Sequence, residues 1–277
     1  MTSSPARRWF VTGASSGMGR ALIEHALGDG DTVVATVRKS QALSDLHARF
    51  PQSLEVEILD VRDREAINTT VEQVLRRGPV DIVVNNAGYG AVGAAEELTQ
   101  SQIDDQLLTL LYGPIAVTRA FLPSLRDNGG GHIVQISSSG GLIAYPGASA
   151  YHAAKWGLEG FSESLAQEVA GFGICVTLIE PGAIRTGFGP GLQFAAAHPA
   201  YHDGPMAEFR KYAAGGDEVY TGDPAKVASA IVSVTRMSDP PLRLALGLDA
   251  YTLIEAALHK RLHELAEHGE LSRSIAL

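Results

Sequence analysis

Seven short runs rich in valine, isoleucine and leucine recur along the chain: Arg8–Val11, Thr32–Val37, Leu54–Leu59, Val80–Val84, His132–Ile136, Ile174–Glu180 and Leu242–Leu246. Such short apolar runs suit strands buried on both faces. The stretches Arg20–Leu27, Arg62–Arg76, Gln102–Leu125 and Ala148–Ala170 carry apolar residues at helical spacing. Strands alternating with helices predict an α/β fold, a doubly wound parallel sheet of about seven strands with helices on both faces. Ligands bind such sheets at the carboxyl ends of the strands, where the strand order reverses. Neither a repeat nor a low-complexity linker divides the 277 residues, so residues 1–277 are read as one domain. Gly187–Asp223 breaks the alternation and reads as a substrate lid of about residues 187–223. After Tyr251 comes a C-terminal helix and tail, 251–277, with Leu253, Ile254, Ala257, Leu258, Leu262 and Leu265 at helical intervals, expected to pack on the domain.

The first run leads directly into Thr12-Gly13-Ala14-Ser15-Ser16-Gly17-Met18-Gly19 and then into a helix. A glycine turn between a strand and a helix suits phosphate binding, because backbone N–H groups at the helix start attract anions. The spacing G-x-x-x-G-x-G differs from the common G-x-G-x-x-G fingerprint. At the end of the second strand, NAD-specific chains commonly carry an acid that holds the ribose 2′-hydroxyl. This chain has Val37-Arg38-Lys39 there, two cations that suit a 2′-phosphate and so favour NADP over NAD.

The stretch Ser138–Lys155 collects a hydroxyl, a phenol and an ammonium. Tyr151 and Lys155 are four residues apart, which on a helix puts both on one face. At about 4 Å and an effective dielectric near 20, an ammonium would favour a phenolate by roughly 4 kcal/mol. That equals about three pKa units, enough to bring a phenol toward 7. Ser138 follows the fifth strand, where a hydroxyl can hold a carbonyl oxygen as its charge develops.

Net charge of −9 argues against a nucleic-acid or anionic-membrane surface. The lone Cys175 excludes an internal disulfide and sits in an apolar run, so it reads as an unreactive thiol. None of the nine histidines has metal-ligand spacing. With no apolar leader and no uninterrupted apolar run of membrane-spanning length, the expected location is the cytoplasm.

Together these residues resemble the classical short-chain dehydrogenase/reductase family, in its hydroxysteroid-dehydrogenase-like and bacterial carbonyl reductase branch. The resemblance rests on Thr12-Gly13-x-x-x-Gly17-x-Gly19, Asp60-Val61, Asn85-Asn86-Ala87-Gly88, Ser138, Tyr151-x-x-x-Lys155 and Pro181-Gly182-x-x-x-Thr186, in family order. It implies a Rossmann-type fold and a cofactor loop of Gly13, Ser15, Ser16, Gly17, Met18 and Gly19. It places Asp60 and Val61 at the adenine, and Asn86, Ala87 and Gly88 under the adenosine ribose. Pro181, Gly182, Ile184 and Thr186 belong to the nicotinamide end. Lys155 bonds the nicotinamide ribose, while Ser138 and Tyr151 bind the substrate oxygen. The implied reaction interconverts a ketone or aldehyde and an alcohol, with Tyr151 as general acid/base and Ser138, Tyr151 and Lys155 as the catalytic set. Leu142, Ile143, Tyr145 and Val92 suggest a largely apolar substrate. The resemblance also implies a homodimer or homotetramer built on the long fourth helix and the Tyr151 helix.

One position departs from the family: Leu110 stands where members carry an asparagine that places a proton-relaying water. Two other functions therefore compete, a non-enzymatic NADPH-binding regulator and non-redox chemistry such as dehydration or epimerisation on the same fold.

Overall fold

A computed structural model describes residues 6–216 and 218–275. The first half runs β1 (Arg8–Val11), α1 (Gly17–Gly28), β2 (Thr32–Val37), α2 (Ser44–Arg49), β3 (Leu54–Ile58), α3 (Arg64–Arg76), β4 (Ile82–Asn85), β5 (Ala91–Val92) and α4 (Gln100–Leu107). A π-helical turn, Leu108–Tyr112, joins α4 to α5 (Gly113–Asp127). The chain continues through β6 (Gly131–Ile136), α6 (Ser149–Val169), β7 (Ile174–Pro181), β8 (Gln193–Phe194), α7 (Pro205–Ala213), α8 (Pro224–Val234), β9 (Arg243–Leu246), α9 (Leu248–Glu267) and α10 (Gly269–Arg273).

Seven of these strands form one sheet in the order β3-β2-β1-β4-β6-β7-β9, with every pair parallel. This is the Rossmann-like α/β arrangement the strand and helix pattern predicts. The order reverses between β1 and β4, so the chain ends of those strands open a crevice.

The period of two sorts each strand onto two cores. On β1, Trp9 and Val11 face α1 and α8 beside Leu22, Ile23, Val227 and Ile231, while Phe10 faces α3, α5 and α6 beside Val71, Phe121 and Leu165. On β2, Val33 and Ala35 join the first core and Val34 the second. A slip of one residue would exchange the two sets, so the pairing register is well specified.

The starts of α3 and α4 follow capping chemistry. Asp63 accepts from the backbone N–H of Glu65 and Ala66, which moves the start of α3 to Arg64 rather than the expected Arg62. Thr99 and Gln102 form a capping box at α4. The 28-residue span Gln100–Asp127 is long and apolar enough by composition to reach across a bilayer. In the fold it is broken by the π turn and packs on α3, α6, β4 and β6. The π turn ends directly before Gly113-Pro114, where α5 begins. Gly113 is required there, because a Cβ would sit 2.7 Å from the Val61 carbonyl oxygen.

One expectation needs correction. The C-terminal helix begins at Leu248, not after Tyr251, and it buries only Ala250 and Ile254. Leu258, Leu262 and Leu265 are exposed, so its outer stripe does not pack on the domain. Within residues 187–223, β8 pairs with β5, and α7 follows. Pattern alone did not reveal the two-residue strands, whose length carries no periodicity.

Candidate active site

The glycine turn closes on the strand ends rather than hanging free. Gly13 has φ of 67°, and a Cβ there would lie 2.6 Å from Ala87 Cα. At Gly19 it would meet Asn86 Nδ2 at 2.4 Å and the Gly13 oxygen at 2.6 Å. Thr12 and Asn86 knit the two strand ends together. Thr12 Oγ1 accepts from the N–H of Asn86 and Ala87 at 3.0 and 3.1 Å. Asn86 Nδ2 donates back to the Thr12 and Gly13 carbonyls at 2.9 and 3.0 Å. Asn85 points the other way, donating to Thr118 Oγ1 at 3.0 Å. Ser16, the cap of α1, is extended and its side chain caps no N–H, leaving the helix start turned to the cleft.

A polar cleft of ≈ 380 Å³ lies here, between the glycine turn and the ends of β2, β3 and β4. Gly13, Ser15, Ser16, Gly17 and Met18 line one wall, and Arg38, Asp60, Val61, Asn86, Ala87 and Gly88 the other. Gly19 is buried behind the turn. Arg62 engages Asp60 at 2.7 Å, and this bond holds the Asp60 carboxyl below the usual range. Arg38 is exposed at the rim and, among the described residues, has no ion-pair partner.

A second, mainly apolar cavity of ≈ 380 Å³ opens from the first across Met18, Asn86, Gly88, Thr186 and Phe188, which line both. Ser138, Tyr151, Lys155, Pro181, Gly182 and Ile184 lie on its floor. Its remaining wall includes Tyr145, Leu192, Phe209, Tyr212 and Tyr220. The structure thus gathers the predicted catalytic and cofactor residues around two joined cavities, with Gly19 in support, whereas Lys39 and Leu142 line neither.

Tyr151 and Lys155 do share a face of α6, with Lys155 Nζ 5.8 Å from the phenol ring centroid. Ser138 lies beside Tyr151, close enough to pull the phenol's pKa down. The expected acid phenol is not what this arrangement gives. Burial pushes Tyr151 up to about 12, against a smaller opposing pull from Ser138. Lys155 Nζ donates one N–H to the Ile136 carbonyl at 2.7 Å, and burial brings its pKa down to about 8 despite Glu159. Desolvation outweighs the ion–phenol attraction because both groups are withdrawn from water.

His152, absent from the sequence reading, orders this region. Its Nε2 accepts from the Tyr145 N–H at 3.2 Å, so Nδ1 carries the proton that goes to the Gly140 carbonyl at 2.8 Å. Burial lowers its pKa, consistent with a neutral ring. The signal lay one residue beyond Tyr151, but a lone histidine in a helix gives no period to read. Leu110 is buried in the π turn and lines the apolar cavity; a Cβ on Gly88 would meet its Cδ2 at 2.9 Å. No group of three or more histidine, cysteine or acidic residues among the described residues is placed to hold a metal.

Comparison with known proteins agrees with this architecture. The family described as short chain dehydrogenase matches residues 7–193. A short-chain dehydrogenase from Streptomyces avermitilis superposes with a TM-score of 0.93 at 45% identity, covering 99% of this chain and 100% of that one. An oxidoreductase of Botryotinia fuckeliana is 40% identical over 247 residues, 87% of this chain and 89% of the relative. A 3-ketodihydrosphingosine reductase of Bacteroides thetaiotaomicron is 32% identical over 241 residues, 86% of this chain and 87% of the relative.

Proposed function

The chain belongs to the short-chain dehydrogenase family, and we propose that it is an NADP(H)-dependent oxidoreductase interconverting a bulky, mostly apolar ketone or aldehyde and its alcohol. One observation carries the reading: Ser138, Tyr151 and Lys155 meet on the floor of an apolar cavity that opens directly into a polar, glycine-rimmed cleft. The residues present fit a nicotinamide dinucleotide. The glycine turn leaves no room for a Cβ at Gly13 or Gly19, and Ser15, Ser16 and the start of α1 offer donors to phosphates. Asp60 and Val61 stand where an adenine would rest, and Pro181, Gly182, Ile184 and Thr186 would hold the nicotinamide end. Arg38 supports NADP, since it has no ion-pair partner among the described residues and the β2 end carries no acid. When bound, the nicotinamide supplies or accepts the hydride.

The chain's own residues bind and move the proton. In reduction, Ser138 and Tyr151 hydrogen-bond the substrate oxygen, and Tyr151 Oη protonates it as it becomes an alkoxide. A phenol near 12 is fully protonated at neutral pH, which suits it to this acid role. Lys155, cationic below about 8, stabilises the phenolate left behind. Oxidation reverses these transfers. The wall of Phe188, Leu192, Phe209, Tyr212 and Tyr220 is the proposed lid that excludes water. The relative named as a 3-ketodihydrosphingosine reductase supports a carbonyl reduction, and the cavity's apolar lining supports an apolar substrate. We read the whole chain as one catalytic domain, and α5 and α6 as the faces of a homodimer or homotetramer, with Tyr112 and Trp156 exposed beside them.

Leu110 favours a second reading, a cofactor-binding regulator without turnover. Tyr151→Phe separates the two. NADPH oxidation with a panel of apolar ketones and steroids should fall by at least about a hundredfold, with NADPH affinity near normal. Unchanged turnover would refute Tyr151 as the acid, and no turnover in the wild-type chain on any carbonyl would favour the regulator.

A further inference from the structure

One helical turn beyond Lys155, α6 carries a second buried charge. Lys155 is 6% exposed and Glu159 4%. Between them they grip the strand-end loop that presents Ser138. Lys155 Nζ donates to the Ile136 carbonyl at 2.7 Å, and Ser137 Oγ donates to Glu159 Oε1 at 2.5 Å. Ser138 itself lies beside Tyr151, whose pKa it pulls down, and accepts from the Gly140 N–H at 3.0 Å. The loop closes tightly over this joint, because a Cβ on Gly141 would lie 2.7 Å from Ser137 Oγ and 2.9 Å from Glu159 Oε1.

The carboxylate is fixed from behind. Arg243 on β9 donates to Glu159 Oε2 at 3.0 Å and to Glu163 at 2.7 Å, and lies 3.6 Å from Glu180 on β7. Glu180 Oε1 is buried without a hydrogen-bond partner. The charged and titratable groups around the pair are thus Tyr151 and Glu163 on α6, Glu180 on β7 and Arg243 on β9. Glu159 raises the Lys155 pKa against burial, while burial pushes the Glu159 carboxyl itself up.

We propose that Glu159 is a positioning residue of the active site, acting on Lys155 as its buried counter-ion and on Ser138 through the Ser137 hydroxyl, with Arg243 holding it in place. An isolated ammonium at the Lys155 position would lose its proton more readily, and Ser138 would lose the anchor of its neighbour. The chain thereby supports its lysine by a carboxylate one turn away on the same helix, with Leu110 supplying no polar group from the opposite wall.

The inference rests on the oxidoreductase reading, and the test keeps the two apart. With ε-carbon-labelled lysine, the side chains of Lys39, Lys155, Lys211, Lys226 and Lys260 are followed by NMR against pH, and Lys155→Met assigns the signal of interest. In Glu159→Gln the bond to Ser137 is kept and the charge removed. Lys155 should then titrate about one unit lower. The alkaline limb of kcat for carbonyl reduction should move by the same amount. Ser137→Ala should lower kcat about tenfold without moving that limb. An unchanged Lys155 titration in Glu159→Gln overturns the counter-ion role, and an unchanged kcat in Ser137→Ala overturns the anchoring role. If Glu159→Gln does not fold, Ser137→Ala decides alone, an unchanged kcat overturning the proposal. A Lys155 shift in a chain without turnover would sink the oxidoreductase reading while leaving the coupling standing.

Discussion

Two buried groups on neighbouring strands should cancel one another's pH dependence, and removing either should expose the other. His132 on β6 is buried, and burial lowers it to about 4 from 6.5. Thr177 Oγ1 gives its one proton to the Pro241 carbonyl at 2.8 Å, so it accepts from His132 Nε2 at 2.9 Å and fixes the neutral ring. Glu180 on β7 moves the opposite way, burial with Glu159 nearby raising it to about 7 from 4.5. Between pH 4 and 6.5 the unfolded chain holds a proton on His132 that the folded chain lacks, so stability rises with pH. Between 4.5 and 7 the folded chain holds a proton on Glu180 that the unfolded chain lacks, so stability falls with pH. Each slope is about 1.4 kcal/mol per pH unit, and over the shared window they offset. Glu180→Gln should leave the His132 slope uncovered, so that its stability relative to wild type climbs by about 2–3 kcal/mol from pH 4.5 to 6.5. His132→Gln should show a relative fall of similar size. Urea titrations at half-unit pH steps read this from midpoints at constant m. Parallel curves for Glu180→Gln and wild type would refute the account, because Glu180 would then share one protonation state in both forms.

Three further outcomes follow from the two cavities. Arg38→Asp should lower the NADPH/NADH ratio of kcat/KM by about ten- to a hundredfold, the worth of one charge-assisted bond to a 2′-phosphate; an unaltered ratio defeats the NADP assignment. Gly19→Ala places a methyl 2.4 Å from Asn86 Nδ2, so NADPH affinity measured by fluorescence titration should fall about tenfold or more. Leu110→Asn should cost about 1–3 kcal/mol in urea stability by burying an amide, yet preserve or raise kcat. A large loss of kcat there would instead give Leu110 a substrate-packing role.

Some features were legible because they repeat or because they are local. The parallel sheet follows from valine-rich runs whose alternation sorts Trp9 and Phe10 to opposite cores, a pattern that survives without any knowledge of contacts. The grouping of Tyr151 with Lys155 follows from helical spacing alone. What spacing cannot deliver is the dielectric around the pair. An effective dielectric near 20 belongs to half-solvated charges, while the fold buries the ammonium and turns one of its N–H groups to the Ile136 carbonyl. The same blindness hid His152, Glu159 and Arg243. Each is an unremarkable residue in its own segment, and they gain meaning only when β6, β7, β9 and α6 converge.

The Leu110 departure shows how far that convergence reaches. Read along the chain, replacing a polar residue by leucine subtracts a function from the site. In three dimensions the π turn that carries Leu110 is still formed, and it still presses the chain against Val61 through Gly113. The backbone geometry at this wall therefore does not depend on a side-chain amide at that position. The polar support for Lys155 comes from the opposite side, where Ser137 and Arg243 fix Glu159. A site can keep its electrostatic balance while exchanging which wall supplies it, because a buried ammonium responds to the field at its position and not to the identity of the residue that makes the field.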